Sequence, residues 1–204
     1  KTVYSKSPKE MAIEYHSMGL SHIHVVDLNG ASDGRLINLD SIRSITEIDG
    51  ITIQVGGGIR SLEHAESLFS VGVSSLILGS IIVHDFELAK SIILAYPNQI
   101  IAGLDVKDMK LSTNGWTSTS DKPLESVISA LNELPIQSIL STDISRDGTF
   151  SGVNTALYAE LSTMTSHSIV ASGGVHSIQN IQELANASIA NLTGCVVGKA
   201  IIEQ

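Results

Sequence analysis

The sequence predicts a parallel α/β fold, and three observations carry that prediction. Short β-rich runs alternate with amphipathic helical runs along all 204 residues. Glycines cluster where predicted strands hand over to helices, as in "VGGGIRS" at 55–61 and "ASGGVHS" at 171–177. The strand-end motifs also recur. Asp27 and Asp143 stand 116 positions apart (143 − 27), Gly57 and Gly173 the same (173 − 57), and Gly79 and Gly198 stand 119 apart (198 − 79). A repeat of this kind predicts two half-barrels of four strand–helix units each, and eight units make a (β/α)8 TIM barrel.

Such barrels typically run to about 250 residues. The motif "LDVKD" at 104–108 belongs to the fifth strand, and its repeat partner would fall before Lys1. Gln204 follows the last strand closely. The expectation is one barrel domain over 1–204, incomplete at both ends, with strand 1 and helix 8 missing.

The elements follow in order. "SPKE" at 7–10 is a capping box with Pro8 in the first helical position, opening a helix that Gly19 ends. A strand over 22–28 comes next, then a helix over about 38–47, a strand over 51–55 and a helix over 61–71. A strand over 74–78 precedes a helix over 85–95, and Pro97 breaks the chain before a strand over 99–105. Residues 107–117 read as a turn or hairpin excursion, and Pro123 starts another helix. A strand over 137–142, a helix over 154–162, a strand over 168–172, a helix over 177–187 and a strand over 194–198 complete seven strands and seven helices.

Composition excludes several classes. A hydrophobic share of 43% with 16% charged residues is ordinary for a globular chain, and no apolar run approaches a membrane span. The net charge of −9 argues against nucleic acid, which needs a basic surface. It leaves room for a small anionic ligand. From residue 123 onward Arg146 and Lys199 are the two basic residues, both in glycine-containing motifs after predicted strands. The single cysteine, Cys195, lies in an apolar run, reads as a small core residue and rules out a disulfide within the chain. A cytoplasmic monomer without membrane or nucleic-acid partners is expected, and the sequons at Asn186 and Asn191 then read as chance matches.

In a barrel the strand C-termini form the active face. Gly57, Gly58 and Arg60 with Gly79 and Ser80 make one glycine-rich pair of turns, and Gly173 and Gly174 with Gly198 and Lys199 make another. Backbone N–H groups at such turns can cradle a phosphate, and Arg60 and Lys199 can add charge. The competing reading is tight turns that need glycine for geometry alone. Asp27, Asp105, Asp143 and Asp147 cluster at the same face. Each alone reads as a cap, while four together suit acid/base chemistry. A divalent metal is the alternative, but no His or Glu completes a convincing ligand set, so none is expected. His24 reads equally as a core histidine or a substrate contact. Trp116, the only tryptophan, reads either as a rim residue or as an aromatic plane over a flat substrate ring.

Taken together, "HVVDLNGA" (24–31), "VGGGIRS" (55–61), "LGS" (78–80), "LDVKD" (104–108), "GW" (115–116), "TDISRDGTFSGVN" (142–154), "ASGGV" (171–175) and "VGKAIIE" (197–203) resemble the ProFAR isomerase family of histidine biosynthesis. The resemblance covers nearly the whole chain in order. It implies a cofactor-free barrel that carries out an Amadori rearrangement, aminoaldose to aminoketose, on a small bisphosphorylated ribosyl-imidazole substrate. It implies Asp105 and Asp147 as catalytic carboxyls, with Thr142 and Asp143 lining the same strand end. It implies Arg146 and Trp116 as loop residues closing over the substrate, and His24 and Asp27, at the first of the strand ends read above, are expected as further substrate contacts. The family's first-strand aspartate has no match in this sequence. Three rivals remain: the related cyclase subunit of imidazole glycerol phosphate synthase, a dual-substrate isomerase acting also on phosphoribosyl anthranilate, and a non-catalytic phosphosugar-binding module.

Overall fold

The structure is a computed structural model that describes residues 6–113, 115, 116, 118–149 and 151–202. The readings above that touch Lys1, Asn114, Thr117, Phe150, Glu203 and Gln204 lie outside these residues. The chain divides into two compact units, 1–78 and 79–204. Each unit carries the repeating strand–helix architecture of a TIM-barrel-like α/β fold, with its strands parallel from one repeat to the next.

The first unit opens with helix α1 (Pro8–Ser17), whose capping box is complete: Ser7 accepts from the Glu10 N–H, and the Glu10 carboxylate accepts from the Ser7 N–H at 2.7 Å. Strand β1 (His22–Val26) stops earlier than its apolar run suggests. Asp27 turns the chain instead, accepting from the Gly30 N–H and capping a short helix α2 (Leu28–Asp33). A strand over 22–28 is therefore corrected at its end, because a buried side-chain acceptor offers the backbone a better partner than a further strand residue does. Helix α3 (Leu39–Thr46), strand β2 (Thr52–Gly56), helix α4 (Leu62–Ser70) and strand β3 (Ser75–Leu78) follow. β1 pairs with β2, and β2 with β3, both in parallel. Ile53, Val55, Leu76 and Leu78 are almost wholly buried.

The second unit begins with two helices, α5 (Ser80–His84) and α6 (Phe86–Ala95), the first of which the periodicity did not reveal because it spans barely one turn. Strand β4 (Ile100–Lys107) is the longest, and Ile100, Ile101, Ala102, Leu104 and Val106 are buried on both of its faces, as a parallel strand covered on both sides requires. The excursion after it is a hairpin. Asp108 and Met109 take left-handed φ values of 50° and 58°, the two-residue turn that matches strand twist. Neither is the asparagine or glycine that usually marks such a turn, which is why the sequence left it open. Strands β5 (Lys110–Thr113) and β6 (Ser118–Pro123) form the hairpin arms. The Lys122 ammonium donates to the Val83 carbonyl at 2.5 Å and ties β6 to the end of α5.

Helix α7 (Leu124–Asn132) starts directly after Pro123. Strand β7 (Ser138–Asp143), helix α8 (Thr155–Met164), strand β8 (Ile169–Ser172), helix α9 (Ile178–Asn186) and strand β9 (Leu192–Cys195) complete the alternation, followed by the short α10 (Lys199–Ile202). The order β4–β7–β8–β9 is parallel throughout. The last strand begins two residues and ends three residues earlier than the sequence reading, and Val196–Gly198 serve as the turn into α10. No helix among the described residues is long and apolar enough to cross a membrane.

Candidate functional site

The acidic site is built at the C-terminal ends of β4 and β7. Parallel register sets Asp105 beside Thr142. The indole N–H of Trp116 donates to Asp105 Oδ2 at 2.8 Å. Burial pushes the Asp105 carboxyl above the usual carboxylate range. Hydrogen bonds from Trp116 and Thr142 oppose that push, and the negative charge of Asp147 reinforces it. Asp147 is likewise held high by the protein around it. Carboxyls shifted upward in this way are candidates for acid/base work.

Asp147 also lines a pocket with Ser172, Gly173, Gly174, Gly198 and Lys199. The second glycine pair and its lysine therefore do converge, and they converge beside a candidate acid. The backbone requires glycine here. Gly173 has φ +89°, and a Cβ on it would lie 2.5 Å from the Asp143 carbonyl oxygen. The Tyr158 hydroxyl donates to the Ser172 carbonyl at 2.8 Å and steadies the strand end just before this turn.

Asp143 has a different situation. It is buried, and its carboxylate accepts from the Ser145 N–H at 2.9 Å, the Ser145 hydroxyl at 2.5 Å and the Asn154 amide at 2.6 Å. Arg146 stays within its own loop, donating from Nη1 to the carbonyls of Ser151 and Gly152, each at 3.2 Å, with Nε 3.9 Å from Asp143.

The first unit repeats this plan. Asp27 is buried and accepts from the Gly30 N–H at 2.8 Å and the Asn38 amide at 2.5 Å. Burial alone would raise its pKa. Hydrogen bonds from Gly30, Asn38 and Ile37 outweigh it and hold the carboxyl below its ordinary range. Gly57, at φ +97°, lies against the Asp27 carbonyl as Gly173 lies against that of Asp143. Gly58 packs on Gly30, and Arg60 donates from Nη2 to the Ala31 carbonyl at 3.0 Å. The Arg60 N–H donates to His64 Nδ1 at 3.3 Å, and the equivalent His176 N–H donates to Asn180 Oδ1 at 3.2 Å. His24 pairs with Gln54 across β1 and β2 at 2.9 Å, and burial pulls its pKa down, so the neutral ring is favoured. Gly79 and Ser80 open α5 in the second unit.

Asn38 and Asn154 were not singled out from the sequence. Both serve a buried aspartate, and they stand 116 positions apart (154 − 38), so extending the repeat from the aspartates to their partners reveals them. Among the described residues no three His, Cys, Asp or Glu side chains group to hold a metal ion.

A profile of the family described as "Histidine biosynthesis protein" matches residues 1–204. The chain belongs to this family. Histidine biosynthesis proteins similar to it include three named 1-(5-phosphoribosyl)-5-((5-phosphoribosylamino)methylideneamino)imidazole-4-carboxamide isomerase. That of Caulobacter vibrioides is 38% identical over 200 residues, covering 98% of this chain and 83% of the relative. That of Prochlorococcus marinus subsp. pastoris is 38% identical over 204 residues, covering 100% and 80%. That of Bacillus cereus is 37% identical over 204 residues, covering 100% and 84%.

Proposed function

We propose that this chain is the isomerase its relatives are named for, converting an N-linked aminoaldose into an aminoketose on a phosphoribosyl imidazole-carboxamide. The observation that carries the reading is the pairing of Asp105 with Asp147, two carboxyls biased toward the protonated form, beside a glycine-walled pocket that includes Lys199.

The chemistry needs a proton delivered to the ribose ring oxygen, which breaks the C1–O bond and leaves a protonated Schiff base. A carboxylate then takes the proton from C2, and the resulting enolamine tautomerises to the ketose. A carboxyl raised above its ordinary pKa takes a proton more readily as a base and holds one to higher pH as an acid, which suits both halves of that cycle. We assign the acid/base work to Asp105 and Asp147. We assign one substrate phosphate to Gly173, Gly174, Gly198 and Lys199 of the second unit; Gly57, Gly58 and Arg60 carry the matching glycine turn within the first unit. Thr142, Arg146 and Trp116 contact or cover the sugar and ring. Asp27 and Asp143 serve as anchors whose oxygens are occupied by internal donors and whose main chains seat the glycine turns.

The test is turnover of the relatives' substrate followed by absorbance, alongside calorimetric binding. Asp105→Asn is expected to lower kcat by about 10²–10⁴-fold with little change in affinity. Tight binding without turnover by the unaltered chain would reassign it as a phosphosugar-binding module.

A further inference from the structure

Asp105 has a partner that the isomerisation itself does not call for. Trp116 sits beyond the end of β5, on the connection that the hairpin folds back toward β4, and its indole N–H meets Asp105 Oδ2 at 2.8 Å. The residue is held there at some cost. Trp116 has φ +72°, in the left-handed region that a bulky side chain rarely adopts, next to Gly115 at φ +63°. Indole has one donor and no acceptor, so this bond is the whole of its hydrogen-bonding capacity. It is also 46% exposed, although a tryptophan gains most from burial. A strained backbone and an exposed ring are retained to deliver one N–H to one carboxylate oxygen.

We infer that Trp116 is a positioning residue for Asp105: its indole N–H fixes the orientation of the carboxyl in the substrate-free protein. This rests on the catalytic role proposed above for Asp105. An N–H donor stabilises the carboxylate over the carboxylic acid, so removing it moves Asp105 toward the protonated form. The direction agrees with the other influences on the group. Burial and the facing charge of Asp147, from the segment after β7, push the carboxyl up, while Trp116 and Thr142 oppose them. Lys107, two residues along β4, and Lys110, its partner on β5, are exposed and carry the nearby positive charge on the hairpin. Removing the indole leaves the upward influences less opposed.

Because the chain has one tryptophan, the bond has its own spectroscopic reporter. The experiment records tryptophan emission of the substrate-free chain from about pH 3 to about pH 9, a range spanning the ordinary carboxylate pKa. The emission is expected to follow one titration centred above that ordinary value, and Asp105→Asn is expected to abolish it. In parallel, Trp116→Phe keeps an aromatic ring without the donor. The limb of its kcat/KM profile that reports Asp105 is expected to move to higher pH, since kcat/KM reads groups of the free enzyme. Emission that is flat through the titration, a transition that persists in Asp105→Asn, or an unshifted limb in Trp116→Phe each overturns the inference. The emission arm needs no substrate. Failure of turnover with an intact emission titration would count against the proposed function alone.

Discussion

Replacing Asn154 by alanine tests the repeated aspartate anchors, and the two halves of the chain provide their own control. Asn154 has two roles. Its amide donates to the buried Asp143 carboxylate at 2.6 Å, and its Oδ1 accepts from the Leu157 N–H at 3.2 Å, capping α8. A hydrogen bond to a charged group contributes about 1.5–3 kcal/mol, and loss of a side-chain cap to alanine costs about 1 kcal/mol, so Asn154→Ala is expected to cost about 2.5–4 kcal/mol. Asn38 makes the equivalent bond to Asp27 at 2.5 Å but forms no side-chain cap on α3. Asn38→Ala is therefore expected to cost about 1.5–3 kcal/mol, smaller by the missing cap. Urea unfolding at neutral pH, followed by circular dichroism, measures both. Asn154→Asp sharpens the test, because it sets a second carboxyl against Asp143. It should be least stable at neutral pH and recover as acid protonates the pair. The reasoning is refuted if Asn154→Ala costs less than about 1 kcal/mol, the scale of an ordinary neutral hydrogen bond, or if Asn38→Ala costs more than Asn154→Ala.

Two further outcomes follow from the same geometry. Gly173→Ala places a Cβ 2.5 Å from the Asp143 carbonyl oxygen at φ +89°, where a left-handed backbone costs an L-residue about 1–2 kcal/mol. Steady-state kinetics should show KM raised more than kcat is lowered, and an unchanged KM would remove this turn from the phosphate cradle. Asp105→Asn, though slowed, should be more heat-stable than the unaltered chain at neutral pH. A carboxyl whose native pKa is raised binds protons more tightly when folded, so stability falls as pH rises from its unfolded to its native pKa, and the cost of burial persists above that window. The gap in Tm should close as pH drops below the ordinary carboxylate range. A gap that widens in acid would contradict the sign.

Much of the fold was determined by the sequence alone, because the signals were local. The Ser7–Glu10 capping box, Pro123 ahead of α7, and the serines and aspartates that cap α4, α6 and α9 act within four residues of themselves. The repeat of 116 residues, visible as letters, also marked the buried aspartates and glycine turns that recur in both units. Local signals failed where a distant partner decided the outcome. The left-handed Asp108–Met109 turn carries no glycine or asparagine, and β1 ends at Val26 because Asp27 has Gly30 and Asn38 to bond.

Only the tertiary structure divided four similar aspartates into two kinds. Asp27 and Asp143 are ringed by donors, whereas burial outweighs the two donors of Asp105 and raises Asp147 as well. A carboxyl's role depends on how many donors surround it and how much water is excluded. Neither quantity is a property of the residue or its neighbours in the chain. Both arise when strands and loops distant in sequence are brought together, as when β4, β7 and the hairpin set Thr142 and Trp116 around Asp105.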